Sequence, residues 1–392
     1  MRIAINGVGV AGPTLAYWLR RAGHEPVLFE KAPSLRTAGY VIDFWGPGFE
    51  IAARMGLAAA VRERGYAMER LRIVDGRGRP VAQLSVAPLR RRLQDRFVTI
   101  PRGDLAELLY QACDDVPAHF GTSIVGVEQN DGGVTVQLSD GSVRAFDAVI
   151  GADGLHSAVR AAVFGPESRF EHSLDCDVAV YRIDGYRPRE ELAYVSYTVP
   201  GRQAARISLR GDRTLVLLLC DARLIGDHPT TAQDQHAALR RAFGGMQWEV
   251  PALLDGLTTT RDFYFDRVSQ IRMPQWSIGR VALAGDAAAC VSLLAGEGTG
   301  LAMVEAYVLA HEFSQTTDPA RAFAAYESRL RPLIERKQQA ALRMRGFFVP
   351  KTSFGLAVRN WLVAVASWPL LTGLILGPAI SDDVELPDFA AG

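Results

Sequence analysis

The sequence predicts an α/β protein in which a doubly wound, mostly parallel sheet is interleaved with a separate antiparallel sheet, with apolar helices at the C-terminal end. Three observations predict this. Residues 1–30 read strand, glycine-rich turn, helix, strand, a βαβ opening of doubly wound folds. Two later apolar runs, 146–150 and 280–284, lead directly into turns bearing Gly and Asp, as buried strands of one parallel sheet do. Between them, 176–222 carries Val, Ile, Tyr and Leu in short alternating runs, the pattern of an antiparallel sheet.

Composition narrows the class. A chain of 392 residues exceeds the size at which one core stops growing, which favours two interleaved domains. Hydrophobic residues at 48% and charged residues at 22% exclude extensive disorder. Lys plus Arg equals Asp plus Glu at 43 each, so no overall field favours nucleic acid, and the expected partner is a small organic molecule. Cys113, Cys176, Cys220 and Cys290 are far apart with no CxxC, and His156, His172 and the other histidines lack metal-ligand spacing, so no metal site or disulfide framework is expected. A strand pattern begins almost at Met1 without a signal peptide, which makes the cytoplasm the expected location.

The elements follow in order. Arg2 to Asn6 is a buried strand; Pro13 marks the start of an apolar helix ending near Gly23, and 26–30 is the next strand. Segment 71–99 turns to short β runs bounded by Gly and Pro, 102–113 is helical, and 125–138 is a hairpin turning at Asp131, Gly132 and Gly133. Long helices are expected over 299–345. Residues 361–380 carry no charge and are long enough to cross a bilayer, but Pro369, Gly373, Gly377 and Pro378 interrupt them. Short apolar helices packed on the body are therefore expected, with peripheral membrane contact as a second reading.

Three motifs carry chemistry. Gly7, Gly9 and Gly12 form GxGxxG between strand and helix, where glycines let a backbone approach a pyrophosphate at a helix N-terminus. Glu30 ends the second strand at the spacing that serves ribose hydroxyls, and an acid there disfavours a 2′-phosphate, leaving FAD or NAD. The run FDAVIGADGLHSAVR turns sharply at Gly151, Ala152, Asp153 and Gly154 before Ser157 and Arg160. The run RVALAGDAAACVSLLAGEGTGLAM ends a strand at Asp286, a hydrogen-bonding partner for a polyol, and starts a helix near Thr299. The positive end of that helix suits a ring that becomes anionic on reduction, worth about 0.3–2 kcal/mol.

In this order and spacing the three segments resemble the GxGxxG, DG and GD motifs of the single-component flavoprotein aromatic hydroxylases, the para-hydroxybenzoate hydroxylase family. GVAGPTLAYWLRRAGHEPVLFEK, ADGLHSAVR and AGEGTGLAM are most similar to the branch that includes tetracycline-inactivating monooxygenases. The resemblance implies an FAD-binding domain over 1–70, 100–165 and 275–350, a substrate domain over 71–99 and 166–274, and a C-terminal apolar helical segment over 351–392. It places Gly7, Gly9, Val10, Ala11 and Gly12 at the pyrophosphate, Glu30 on the ribose, Lys31 beside the adenine and Arg102 at the phosphates or flavin edge. Asp153 is implied near the pyrophosphate and the path of the nicotinamide donor, Asp286 on the ribitol, and Gly298, Thr299 and Gly300 near the flavin pyrimidine.

Asp43, Phe44 and Trp45 resemble the loop beside the flavin, and Tyr181, Arg182 and Arg206 fall on the sheet that faces the flavin in the family; all six are candidate substrate or flavin contacts. The chain departs from the family pattern at Ala289, Ser292 and Leu293, where His and a Pro pair are common, and at Glu305, where Asp is common. Trp248, Val250 and Pro251 share part of a flavin-halogenase signature, but Met246 occupies its first Trp position.

The implied activity is a monooxygenase that uses transiently bound NADPH or NADH and O2, through a flavin C4a-hydroperoxide, to hydroxylate an aromatic or polyketide-like molecule, tetracyclines included. The cofactor carries that chemistry, so no catalytic side chain is assigned. A flavin-dependent double-bond reductase and a non-catalytic, ligand-sequestering flavoprotein stand as alternatives.

Overall fold

The computed structural model describes residues 1–35, 40–93, 96–186, 188, 191–260, 262–366 and 384–389. Its first sheet has six strands in the spatial order Ser277–Ile278, Val281–Leu283, Ala148–Gly151, Arg2–Asn6, Glu25–Glu30 and Ala118–Phe120. Every pairing is parallel except that of Ser277–Ile278 with Val281–Leu283. Ile3, Ala4, Ile5, Leu28, Val149, Ile150 and Ala282 are fully buried, which is why these strands read as continuous apolar runs. Helix Ala11–Arg21 lies against helix Gly298–Gln315. An antiparallel sheet of Ile124–Asn130, Gly133–Leu138 and Val143–Phe146 joins the same core, where Phe146 meets Phe29 edge to face at 6.0 Å.

The second sheet has seven strands in the order Phe263–Ile271, Glu171–Asp184, Arg213–Asp221, Arg202–Leu209, Ala193–Val199, Arg70–Val74 and Pro80–Ser85. It is antiparallel except where Ala193–Val199 runs parallel to Arg70–Val74, with Tyr194 opposite Leu71. Its residues alternate between two apolar faces. Ala179, Tyr181, Ile183, Val216 and Leu218 pack with residues of helices Ala232–Phe243 and Val250–Asp255. Val178, Val180, Ile207 and Leu215 pack with Tyr66, Met68, Leu294 and Val349, with Tyr40 and Val41 against them. The second face is the one turned to the first sheet's loops.

Segment 71–99 is less uniform than its β-like pattern predicts. Ala87–Arg92 is a helix with Pro88 in its first turn and no buried residue, and Val98–Pro101 pairs with Val41–Phe44 and not with the second sheet. Short runs do not specify a partner strand, because period-two alternation defines only a face.

The C-terminal segment is described at 353–366 and 384–389. Helix Ser353–Ala366 packs on the second sheet's edge, Val363 joining Ile73 and Ala82. Residues 384–389 lie on the first sheet's helices: Phe389 stacks on Trp18 at 4.8 Å, and Arg54 and Tyr307 donate to the Pro387 carbonyl. Residues 367–383, and with them most of 361–380, lie outside the described residues. No helix among the described residues is long and apolar enough to cross a membrane.

Candidate functional site

Register builds the site. Asn6 lies opposite both Phe29 and Gly151, and Gly151 opposite Leu283, so four parallel strands end level. The glycine turn after Asn6, the acid Glu30, the turn at Ala152 and Asp153, and the turn at Gly285 and Asp286 therefore share one edge. In open α/β sheets the ligand crevice lies outside the carboxyl ends of the strands.

The first turn is closed by contacts that only glycine permits. Gly7 has φ +114°, and a Cβ there would stand 2.3 Å from the Ala152 carbonyl oxygen; one on Gly12 would stand 1.9 Å from that of Gly7. Gly9 is open by comparison, its nearest outside neighbour being the Arg102 guanidinium at 3.7 Å from an added Cβ. Val10 and Ala11, both buried, lead into helix Ala11–Arg21, whose N-terminus has no side-chain cap, leaving backbone donors for an anion. Glu30 accepts from the Val8 and Ala32 amides, both at 2.9 Å, and Lys31 is exposed beyond it.

Two residues tie the neighbouring turn in place. Asn6, only 2% exposed, donates to Asp153 at 2.9 Å and to Ser123 and accepts from the Ile124 amide. Asp153 also accepts from the Ser157 hydroxyl at 2.5 Å and from the Ala158 and Val159 amides. Its carboxylate thus holds the first amides of helix Ala158–Val163, beside the Ser157 cap that accepts from the Arg160 amide. Sequence reasoning missed Asn6 because a polar residue at a strand end carries no local signature. Arg160, fully buried, donates to the Ala287 carbonyl at 3.0 Å and to Glu167, joining this turn to the Asp286 turn.

At that turn Gly285 takes φ +64°, and Asp286 opens the short helix Asp286–Ala289. Burial pushes the Asp286 carboxyl up, with Arg102 opposing. A Cβ on Gly298 would stand 3.8 Å from Asp286 Oδ1, so the carboxylate sits beside the start of helix Gly298–Gln315, which likewise has no side-chain cap. Arg102, Tyr40, Asp286 and Tyr264 lie within electrostatic reach of one another. Where the family pattern has prolines, Ser292 takes φ +98° and its Oγ accepts from the Leu294 amide at 3.2 Å. Gln270 and Gln338 bind the carbonyls of Val291 and Cys290, so the loop is held by side-chain amides. The Gly285 amide itself is held by Glu305, which the sequence marked only as a departure from the family's Asp.

Asp43, Phe44 and Trp45 border a small cavity of about 20 Å³ together with Gly48, Glu297, Gly300 and Val384. Asp43 accepts from the Thr99 hydroxyl at 2.6 Å, and burial pushes its carboxyl up. Gly39, which precedes this segment, lies outside the described residues.

The second sheet corrects part of the sequence reading. Tyr181 points into the helix-covered face, its hydroxyl donating to the Leu253 carbonyl at 2.7 Å. Arg206 lies opposite Val216 on that same face, in a two-pronged pair with Glu249 and 5.6 Å from the Trp248 ring. Neither looks toward the first sheet's turns, because alternation along a strand sends neighbouring residues to opposite faces. Arg182, opposite Leu215, has the other parity, and it pairs with Asp262 at 2.6 Å. Tyr264, which the sequence did not single out, does reach the site. It donates to Asp266 at 2.8 Å, and His156 bridges Asp266 and Glu167 at 3.0 and 2.8 Å. This chain joins the Asp153 turn to the second sheet. No group of His, Cys, Asp and Glu among the described residues forms a metal site.

Residues 1–341 match the family described as FAD binding domain. A flavin-dependent monooxygenase from an unknown prokaryotic organism is 34% identical over 390 residues, covering 99% of each chain. The crystal structure of the tetracycline destructase Tet(55) is 30% identical, covers 99% of this chain and 98% of its own, and superimposes with a TM-score of 0.84. Klebsiella pneumoniae HpxO, solved with FAD and uric acid, shares the fold at 23% identity and a TM-score of 0.80, covering 98% of this chain and 97% of its own.

Proposed function

The chain belongs to the FAD binding domain family of flavin-dependent monooxygenases, and from that premise we propose that it hydroxylates an aromatic or polyketide-like small molecule with O2 and a transiently bound NADPH or NADH. The observation that carries the reading is the level ending of four parallel strands, which gathers the glycine turn, Glu30 and Asp286 on one edge, where Arg102 reaches in beside Gly9.

The residues fit FAD. Gly7, Gly9, Val10, Ala11 and Gly12 would hold the pyrophosphate on uncapped helix amides, with Arg102 supplying positive charge. Glu30 would hold the ribose, Lys31 would lie by the adenine, and Asp286 would hold the ribitol. Gly298, Thr299 and Gly300 would present backbone donors to the flavin ring. Asp153, already engaged by Asn6, Ser157 and the Ala158 and Val159 amides, would shape its turn from within. When bound, FAD would supply the redox chemistry that a nicotinamide donor and oxygen require. The chain's own task is to orient the substrate and exclude water.

The segment Asp43, Phe44 and Trp45, with Gly300 beside it, marks the proposed substrate side, together with the second sheet's face around Val178, Val180 and Ile207. We assign 71–99 and 166–274 to substrate binding, and 1–70, 100–165 and 275–350 to the cofactor. The likeness to tetracycline destructases, at about 30% identity, supports a tetracycline-type substrate and antibiotic inactivation. Oxygen uptake coupled to NAD(P)H oxidation, run over phenols, polyketides and tetracyclines with mass detection, tests this. A product heavier by one oxygen atom is expected. NAD(P)H oxidation that reduces a double bond without oxygen incorporation would make it a reductase, and no turnover across the panel would make it a binding protein.

A further inference from the structure

We infer that Glu305 and Tyr326 are a positioning pair for Asp286, setting the turn on which that carboxylate is presented to the cofactor. The Gly285 amide donates to Glu305 Oε2 at 2.8 Å. The Tyr326 hydroxyl donates to the same oxygen, also at 2.8 Å. Glu305 comes from helix Gly298–Gln315 and Tyr326 from helix Pro319–Phe348, so two helices and one strand end converge on one oxygen.

Two features separate this from ordinary packing. Glu305 is 2% exposed and Tyr326 fully buried; a carboxyl group there costs more than an apolar side chain unless its bonds are required. The turn also has little freedom to settle elsewhere. A Cβ on Gly285 would already stand 3.3 Å from Ala11 and 3.4 Å from Ala302, so the Gly285 amide fixes the direction in which the chain enters Asp286. Burial pushes the Glu305 carboxyl up to about 7, with Asp286 adding to the rise and the Tyr326 and Gly285 bonds opposing it. Because Oε2 takes both bonds, a proton on Oε1 leaves the clamp intact, and a glutamine can reproduce it.

The inference rests on Asp286 being a cofactor ligand, and the test separates the two. FAD is titrated into full-length apoprotein, following quenching of flavin fluorescence, for wild type, Asp286→Ala, Glu305→Ala, Glu305→Gln, Tyr326→Phe and the double variants of Asp286→Ala with Glu305→Ala and with Tyr326→Phe. Thermal unfolding of each apoprotein is followed separately. Glu305→Ala, which loses both bonds at Oε2, is expected to raise Kd about tenfold, and Tyr326→Phe, which loses one, about threefold. Glu305→Gln should stay near wild type.

In the Asp286→Ala background neither change should raise Kd further, which a merely structural role would not produce. Folded Glu305→Ala or Tyr326→Phe apoprotein binding FAD as wild type does, or effects that add fully to Asp286→Ala, overturns the pairing. If Glu305→Ala does not fold, the Tyr326→Phe cycle decides by the same criterion. Asp286→Ala binding FAD normally overturns the ligand assignment and the pairing with it, whereas a weakened Asp286→Ala beside normal Glu305→Ala and Tyr326→Phe overturns the pairing alone.

Discussion

The two glycine turns that meet at the carboxyl edge of the first sheet are held by different means. The turn over residues 7–12 is fixed by steric closure: its own glycines touch the Ala152 and Gly7 carbonyls at distances no side chain tolerates. The turn at Gly285 is fixed by hydrogen bonds from residues far along the chain, Glu305 and Tyr326 on its amide side and Gln270 and Gln338 on the loop that follows. A sterically closed turn is written in consecutive residues and fails all at once when one is changed. A turn held by distant polar groups fails by degrees, and each bond can be weakened separately.

The largest expected effect is therefore Gly12→Ala, whose Cβ would stand 1.9 Å from a backbone oxygen. It should leave a protein without bound flavin or one that does not fold, checked by flavin content and far-UV circular dichroism. Asp286→Ala comes next: loss of a hydrogen bond to a cofactor hydroxyl should cost about 1–3 kcal/mol in FAD affinity, measured by titration of the apoprotein.

A smaller, pH-dependent effect is expected from His156, which ties the Asp153 turn to the second sheet. Bonds to Asp266 and Glu167 raise its pKa from 6.5 to about 10. The stabilisation is present in full below pH 6.5 and is lost as pH rises through 10. Wild type should thus lose its advantage in unfolding midpoint over His156→Gln between pH 7 and about 10, as that linkage requires. The side chain is 55% exposed, so the whole effect should stay within about 1 kcal/mol. Unequal midpoints that keep a constant difference across this range would remove the latch. The smallest effect on the cofactor belongs to Tyr181→Phe. It breaks the bond to the Leu253 carbonyl on the far face and should lower stability by about 0.5–1.5 kcal/mol while leaving FAD affinity unchanged.

The same contrast explains what the sequence made legible. Strand ends, GxGxxG, Glu30 and Asp286 are signalled locally, by apolar runs meeting glycine and acid. Asn6, Glu305 and Tyr264 are not, because their roles depend on groups distant in the sequence, Asp153, Gly285 and the Tyr40, Arg102 and Asp286 cluster respectively, brought near only by folding. Tyr181 and Arg206 were assigned to the wrong face of a sheet whose strands are apolar on both sides, so that alternation in the sequence did not distinguish the two. The Ala87–Arg92 helix was hidden for a related reason, its Pro and Arg residues following no period.

Flavin content of the purified full-length chain tests the central claim most directly, with extraction and spectroscopy before and after incubation with FAD. A yellow protein holding one FAD per chain is expected, with Gly12→Ala colourless beside it. Wild-type protein that is colourless and takes up no added FAD would contradict the account.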